Sequence, residues 1–261
     1  MDFLPADQKD LQLSSYWKKF FEFDRFKDGF EWYASFEDLQ QYLSLYIKEK
    51  GQQSVLVPGC GNSDLSEKLL TKLGVSGLKV HSVDYEEAVV SKMEQGKPKD
   101  LPLTYSVGDV TNLASLGSES FDFSVDKGTL DAIAVDDKEH TVSQCNAYFK
   151  EMTRVLNKGG VFMIVSLLQP HVLKIIIDHF VKGGVMDQLF TIKVYRIEHI
   201  EGYAEKQFIK YFVAIKKNAI DVSNPKMVQM REKMQDTVFI KDGLAELSYN
   251  SDKAVEKIKV D

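Results

Sequence analysis

Two glycines and one acid in the first third of the chain have the types and spacing of a nucleoside-binding site. Gly59 and Gly61 flank Cys60 at the end of the apolar run Val55-Leu56-Val57-Pro58, and Asp84 ends a second apolar run further along. Glycine adopts turn dihedrals that other residues avoid, and it lets a ligand touch the backbone. A carboxylate can accept hydrogen bonds from both hydroxyls of a ribose. The pattern therefore predicts a strand, a turn and a helix that hold a nucleoside-bearing cofactor.

One position near the glycine turn separates two cofactor classes. Dinucleotide-binding proteins use the pattern G-x-G-x-x-G, in which the third glycine packs the helix against the strand. In this chain Asp64 takes the third position, where its charge would meet a pyrophosphate near the helix N-terminus. S-adenosylmethionine has no phosphate and carries a cationic sulfonium, so it tolerates that acid. The turn therefore favours S-adenosylmethionine over NAD, and an NAD-dependent oxidoreductase is the less favoured alternative.

The elements that must position these residues alternate along the chain. The predicted strands cover residues 53–57, 78–83, 102–107, 121–125 and 160–166, and the predicted helices cover 63–73, 86–95 and 140–156. Such alternation indicates right-handed crossovers and a parallel sheet. After a helix near 171–182, two strand patterns at 189–200 and 207–216 are separated by a short link containing Gly202. This spacing predicts an antiparallel hairpin.

The fold class that follows is α/β. We expect a doubly wound, mostly parallel seven-stranded sheet of the Rossmann-like, class I methyltransferase type, with an antiparallel last strand and an N-terminal helical extension. Residues 1–50 are expected to form a helical lid that is part of the catalytic domain, and residues 51–217 form the methyltransferase core. Residues 218–261 form a polar, weakly patterned C-terminal extension whose structure the sequence does not determine, with a helical pattern only around 227–234.

Composition narrows the function class further. The chain has 261 residues, a net charge of −6 and 44% hydrophobic residues, which suit one folded domain with extensions. A mildly acidic chain is not expected to bind nucleic acid non-specifically, since such proteins usually carry a basic face. No apolar run approaches the length of a membrane span, and the N-terminus lacks the pattern of a secretion signal. We therefore expect a cytoplasmic protein that binds neither membrane nor nucleic acid.

Five short motifs have the order and spacing of a known family. They are Tyr16-Trp17-Lys18-Lys19-Phe20, Phe30-Glu31-Trp32-Tyr33, Gly59-Cys60-Gly61-Asn62-Ser63, Val83-Asp84-Tyr85 and Asp126-Lys127-Gly128-Thr129-Leu130-Asp131. In these motifs the chain resembles the seven-stranded methyltransferases that modify lysines of translation elongation factor 1-alpha. The resemblance covers about residues 10–215, and the last motif is much more specific than the glycine turn.

The resemblance implies a role for each candidate cofactor-binding residue. The glycine turn lines the methionine part of S-adenosylmethionine, Asp84 binds the ribose and Tyr85 lies near the adenosine. Asp109 accepts from the adenine amine while Val110 covers the base, and Lys127 contacts the cofactor through its backbone. The aromatic residues placed over the cofactor are Trp17, Phe21 and Trp32; relatives often have Tyr where this chain has Phe21, so a hydroxyl contact is lost. Phe20 and Phe23 are expected to be core residues.

The same resemblance assigns the acceptor side of the site. Asp126 and Asp131 are expected to hold a lysine ammonium by charge-assisted hydrogen bonds. No metal is implied, because the histidines lack metal-ligand spacing. The predicted function is methylation of a protein lysine, with elongation factor 1-alpha as the suggested substrate. A small-molecule methyltransferase of the same fold is the main alternative, a catalytically silent binding module is a weaker one, and the oligomeric state does not follow from the sequence.

Overall fold

A computed structural model of the chain describes residues 5, 7–23, 26, 29–182, 189–197 and 210–218. The predicted link at Gly202, the helix around 227–234 and the extension beyond residue 218 lie outside these residues. Within the described part, no helix is both long enough and apolar enough to cross a membrane.

One seven-stranded sheet forms the centre of the molecule. Its strands are β1 (Gln53–Pro58), β2 (Leu78–Asp84), β3 (Leu103–Val107), β4 (Phe121–Lys127), β5 (Leu156–Ser166), β6 (Leu189–Arg196) and β7 (Tyr211–Asn218). They are arranged in the order β3-β2-β1-β4-β5-β7-β6. The pairs among β1 to β5 are parallel, whereas β7 lies between β5 and β6 and is antiparallel to both. The predicted parallel sheet, the hairpin pairing and the antiparallel last strand are confirmed.

Helices cover both faces of this sheet. They are α1 (Ser14–Glu22), α2 (Phe36–Tyr46), α3 (Leu65–Thr71), α4 (Glu87–Gly96), α5 (Thr129–Ile133), α6 (Glu139–Val155) and α7 (Pro170–Ile177). A 3₁₀ helix, Gln8–Gln12, precedes α1, and a π-helical turn, Asp178–Lys182, continues α7. The predicted N-terminal helical extension is thus confirmed. Helix α5 was not predicted, because a helix of five residues is too short to show a hydrophobic period.

The side chains of each strand alternate between the two faces of the sheet and form two hydrophobic cores, one on each face. Val55 and Val57 of β1 contact the cluster that contains Leu39 of α2 and Leu65 of α3. Leu56 between them belongs to the opposite cluster, which contains side chains of α5, α6 and α7. Successive side chains of a strand point to opposite faces, so a run of consecutive apolar residues is expected only where both faces are covered. This double coverage holds the carboxyl ends of the central strands in fixed positions.

The N-terminal extension packs partly as core and partly as surface. Ser35 starts α2 with a capping box, in which its hydroxyl accepts from the Asp38 N–H while the Asp38 carboxylate accepts from the Ser35 N–H. Phe20 of α1 is buried and stacks on Phe26 at 4.6 Å between ring centroids, as its core assignment requires. The same assignment for Phe23 was wrong, because its side chain is 63% exposed directly after α1 ends.

Candidate active site

The glycine turn lies at the carboxyl end of β1, where ligands bind in open α/β sheets. Gly59 and Gly61 have φ values of +61° and +50°, in the left-handed region that favours glycine. A Cβ on Gly59 would lie 2.2 Å from Oγ1 of Thr129. That hydroxyl donates to the Pro58 carbonyl at 2.9 Å. The missing side chain of Gly59 therefore lets α5 lie directly against the turn, a use that the sequence pattern does not reveal.

Asp84 ends β2 beside this turn and is almost completely buried. Its Oδ2 accepts a hydrogen bond from the Gly61 N–H at 2.8 Å, and its Oδ1 accepts from the Glu86 N–H at 3.0 Å. Burial raises the pKa of Asp84, while these backbone donors oppose the rise. A carboxylate offers about four acceptor positions, so two bonds orient the group and leave capacity for further donors.

The third strand contributes the next part of the site. The Gly108 N–H donates to the Asp84 carbonyl at 3.0 Å, which brings the segment after β3 alongside the end of β2. Val110 is buried there, whereas Asp109 is exposed and its Oδ1 accepts from both the N–H and the hydroxyl of Thr111. Tyr85 is 40% exposed. A buried Val110 and the adjacent exposed Asp109 therefore follow directly on the backbone that lies beside Asp84.

Aromatic side chains from the N-terminal extension lie over the glycine turn. A Cβ on Gly61 would lie 3.1 Å from the Phe21 ring. Trp17 has its ring centroid 6.1 Å from that of Phe21 and 5.9 Å from that of Trp32. The Trp17 indole N–H donates to the Leu11 carbonyl at 2.7 Å, which fixes the ring. The structure therefore brings together the three predicted aromatic residues and places one of them on the turn.

Lys127 connects this aromatic segment to the sheet. Its ammonium pairs with Glu31 at 2.8 Å and lies 3.3 Å from the Trp32 carbonyl, while the Lys127 side chain is only 5% exposed. Glu31 also accepts from the Ser63 hydroxyl at 2.9 Å and from the Asp64 N–H at 2.8 Å. The Lys127 ammonium is thus paired with Glu31 inside the protein. This agrees with the prediction that Lys127 contacts the cofactor through its backbone.

Asp126 has no exposed surface. Its carboxylate accepts from the N–H groups of Thr129 and Leu130 and from the Tyr148 hydroxyl, at 2.8, 2.9 and 2.9 Å. Burial raises the pKa of Asp126 to about 7, although all three donors favour the ionised form. Two of the three bonds hold the first turn of α5. This geometry suits a residue that positions α5. It does not place the carboxylate against the amine that would accept the methyl group.

Asp131 lies within the first turn of α5 and is partly exposed. Its Oδ1 accepts from the Ser166 hydroxyl at 2.5 Å, and its Oδ2 accepts from the Leu167 N–H at 2.8 Å. The Tyr33 hydroxyl also interacts with this carboxylate. Burial raises the pKa of Asp131, and these donors oppose the rise. Of the two acids predicted for the acceptor, Asp131 is the one that retains some exposed surface.

Four residues of the site were missed as functional residues by sequence reasoning: Glu31, Tyr33, Thr129 and Tyr148. The first three stand inside the motifs Phe30-Glu31-Trp32-Tyr33 and Asp126-Lys127-Gly128-Thr129-Leu130-Asp131. Their position in those motifs was the available signal. Tyr148 lies in the middle of α6, and no local pattern links it to Asp126.

Comparison with known proteins identifies the family. A family model described as a methyltransferase domain matches residues 49–236. The chain belongs to the methyltransferase domain family. Membership implies S-adenosylmethionine as the methyl donor, because this is the donor of class I methyltransferases.

Relatives with assigned names support the same placement. The chain is 37% identical over 187 residues to the eEF1A lysine and N-terminal methyltransferase of Mus musculus, covering 71% of the chain and 26% of that protein. It is 31% identical over 183 residues to the EEF1A lysine methyltransferase 4 of Mus musculus, covering 64% of the chain and 66% of that protein. The chain thus spans about a quarter of the length of the first relative.

Solved structures share the fold. The CurJ carbon methyltransferase superposes with a TM-score of 0.52 at 12% sequence identity, covering 81% of this chain and 57% of that one. At so low an identity the likeness shows the fold alone, since one fold serves many chemistries.

Proposed function

We propose that the chain is an S-adenosylmethionine-dependent methyltransferase that acts on a lysine of a protein substrate. The single observation that carries the proposal is the anchored carboxylate of Asp84 beside the Gly59–Gly61 turn, in a chain of the methyltransferase family. The relatives' names, which specify lysine methylation of eEF1A, support the substrate class.

The residues present fit this cofactor. We assign the ribose to Asp84, whose oxygens are oriented by two backbone donors. Tyr85, Asp109 and Val110 surround the adenine position. Gly59, Gly61 and the backbone of Lys127 line the methionine part. The lid formed by the aromatic side chains of Trp17, Phe21 and Trp32 excludes water from the same region.

The placement of the Lys127 charge also suits a cationic cofactor. The Lys127 ammonium would repel a sulfonium if it pointed at the donor. Its ion pair with Glu31 at 2.8 Å keeps that charge within the protein. Only the backbone at Lys127 is then available to the donor.

On the acceptor side we assign Asp131 to the lysine and Asp126 to positioning. Asp131 is the acid that retains some exposed surface, and a carboxylate binds an ammonium by charge-assisted hydrogen bonds. A lysine amine has a pKa near 10.4 in water and must lose its proton before it can act as a nucleophile. Desolvation in a closed pocket lowers that pKa, and the proton leaves to solvent.

The chemistry needs little more than orientation once the amine is neutral. Bound S-adenosylmethionine supplies an activated methyl group on sulfur. Gly59, Gly61 and Asp84 would hold the donor, and the chain would present the neutral amine to the S–C bond, whose electron pair would stay on sulfur. The protein holds the amine in line with that bond, and proximity supplies most of the rate enhancement.

The substrate and the location belong to the same proposal. We propose elongation factor 1-alpha as the protein acceptor, because two relatives carry that substrate in their names. We also propose that the protein acts in the cytoplasm. The acidic net charge of −6 fits a basic protein partner better than a nucleic acid.

The test is methyl transfer from labelled S-adenosylmethionine to purified elongation factor 1-alpha, followed by mapping of the labelled residue. The wild-type protein is expected to label a lysine, Asp84→Asn is expected to lose transfer, and Asp100→Asn, a change of the same type on an exposed turn, is expected to retain it. Label that enters only small molecules of a lysate would support the small-molecule alternative instead. Cofactor binding without any transfer would support a silent binding module.

A further inference from the structure

Backbone strain is concentrated beside Asp131. Among the described residues, three that are not glycine have positive φ: Tyr33 at +66°, Glu119 at +51° and Leu168 at +48°. Such conformations persist only when the surrounding structure imposes them, and they cluster at active sites. Glu119 lies on an exposed turn before β4. Tyr33 and Leu168 instead belong to the two segments that surround the Asp131 carboxylate.

Leu168 is held by the same groups that hold Asp131. The Leu168 N–H donates to the Ser166 hydroxyl oxygen at 2.7 Å, and that hydroxyl donates to Asp131 at 2.5 Å. The Leu167 N–H donates to the other carboxylate oxygen. The turn after β5 is therefore wrapped around Asp131, and this fixes the direction of the carboxylate.

Tyr33 is held in place by contacts of the residues that precede it and of the residues that follow it in the chain. On one side, Glu31 pairs with Lys127, whose ammonium also lies 3.3 Å from the Trp32 carbonyl. On the other side, the capping box at Ser35 begins α2. The Tyr33 ring covers Gly128, where an added Cβ would lie 3.3 Å from the ring. Gly128 also has a φ of +86°, so the backbone of the motif is shaped to receive this ring.

We propose that Tyr33 orients the acceptor amine, with Asp131 as its partner, at the carboxyl ends of β4 and β5. The proposal rests on the lysine methyltransferase function above and adds a residue to the acceptor side of that site. The Tyr33 ring lies over Gly128, three residues before Asp131, and its hydroxyl is near enough to interact with the Asp131 carboxylate. A phenol hydroxyl can donate to an acid and accept from an amine N–H.

The pair also resolves a conflict in the chemistry. A carboxylate alone attracts an ammonium but opposes loss of its proton, because an opposite charge favours the charged form. A neutral hydroxyl accepts from an amine without that bias. Burial and the two neighbouring acids, Asp131 and Asp126, raise the pKa of Tyr33, so the hydroxyl stays neutral. Asp131 then attracts the cationic side chain, and Tyr33 directs the neutral amine toward the methyl group.

The variant that tests this inference is Tyr33→Phe, which keeps the ring over Gly128 and removes only the hydroxyl. Tyr46→Phe is the matched control, since it removes a hydroxyl that bonds Tyr195 of β6 and, within the described part of the chain, contacts none of the residues assigned to the site. With elongation factor 1-alpha as acceptor, Tyr33→Phe is expected to lower kcat/KM at least tenfold while S-adenosylhomocysteine affinity changes less than twofold. Tyr46→Phe is expected to behave as wild type in both measurements.

A binding measurement separates this inference from the identity of the substrate. The probe is n-butylamine, which has the terminal chemistry of a lysine side chain, added to the protein saturated with S-adenosylhomocysteine. Trp17 and Trp32 are the only tryptophans, so intrinsic fluorescence reports on the residue next to Tyr33. We expect saturable binding by wild type, and at least tenfold weaker binding by Tyr33→Phe and by Asp131→Asn.

The outcomes are distinguishable. Failure of the wild type to methylate elongation factor 1-alpha would count against the proposed function, whereas amine binding that depends on Tyr33 and Asp131 would still support this inference. Equal amine binding by wild type and Tyr33→Phe, or no amine binding by wild type, would overturn it. A parallel loss of S-adenosylhomocysteine affinity in Tyr33→Phe would also overturn it, by assigning the hydroxyl to the cofactor side.

Discussion

At the scale of single residues, two buried acids of similar appearance in the sequence have different surroundings. Asp84 accepts from two backbone N–H groups at the edge of the site and keeps acceptor capacity for a ligand. Asp126 accepts from three donors and has no exposed surface. The number of internal donors and the exposure, more than the residue type, separate a binding role from a positioning role.

The first residue-scale prediction concerns cofactor affinity. Asp84→Ala removes hydrogen bonds from the ribose hydroxyls to a charged group, so S-adenosylmethionine binding should weaken by about 1.5–3 kcal/mol. Isothermal calorimetry with S-adenosylmethionine and with NAD measures the effect. Unaltered affinity in this variant, or tight NAD binding by the wild type, would remove the central assignment.

A second residue-scale prediction concerns pH. The folded protein holds a proton on Asp126 up to a pKa of about 7, whereas the unfolded chain releases it near pH 4. Because the folded state binds more protons in this window, its stability should fall as pH rises from about 4 to about 7. The stability advantage of wild type over Asp126→Asn should therefore shrink across that window, by at most about 4 kcal/mol.

Urea unfolding of both proteins at several pH values measures this difference. Asp122→Asn serves as the control, since Asp122 is a partly exposed acid of the same strand whose bonds to the Ser54 and Asn157 side chains lie at the other end of β4. An advantage of wild type that stays constant from pH 4 to pH 7 would show that Asp126 does not titrate there.

At the scale of elements, the aromatic lid is attached to the sheet by one carboxylate. Glu31 joins the Lys127 ammonium, the Ser63 hydroxyl and the Asp64 N–H. It thereby connects the lid segment to the end of β4 and to the start of α3. Removing one partner of a buried ion pair leaves the other charge without compensation.

The element-scale prediction is that Glu31→Gln loosens the lid. Unfolding free energy should fall by about 1–3 kcal/mol, and proteolysis within the N-terminal extension should become faster. Glu37→Gln is the matched control, because Glu37 pairs with Lys68 while 61% exposed, and such exposed pairs contribute about 0–1 kcal/mol. Equal effects of the two variants would show that Glu31 does not anchor the lid.

At the scale of the whole molecule, the N-terminal helices and the last strand complete one core. Phe212 of β7 is fully buried, and its ring centroid lies 5.5 Å from that of Tyr42 in α2. The Tyr42 hydroxyl donates to the Arg196 carbonyl at the end of β6. Segments that are far apart in the chain are therefore joined on one face of the sheet.

The whole-molecule prediction is that the lid and the sheet unfold together. Phe212→Ala should destabilise the protein by about 3–5 kcal/mol, the usual cost of removing a buried phenylalanine. Tryptophan fluorescence, which reports on the lid, and far-UV circular dichroism, which reports on the sheet, should show the same shift in midpoint. Phe23→Ala, at a 63% exposed position, should leave both midpoints nearly unchanged. Separate transitions would show that the lid unfolds independently.

Most of the fold could be predicted from the sequence because its signals are local. The apolar runs of β1, β2 and β4 are bounded by turn residues, and their alternation with helical patterns implies a parallel sheet. The structure extends β5 back to Leu156, four residues before the predicted start. In that part only Leu156 pairs with β4, opposite Phe121, and the register shifts before Val161, so the polar residues Asn157 and Lys158 give no strand pattern there.

The sequence by itself determined the Gly59–Gly61 turn, the acid at the end of β2 and the aromatic residues of the N-terminal extension, because each depends on residue type at short spacing. Only the tertiary structure separated Asp126 from Asp131 and brought Tyr33 to Asp131. The groups that surround these acids and interact with them lie in α6, in the turn after β5 and in the lid. Contacts between such distant segments depend on how the layers pack, and no local pattern records them.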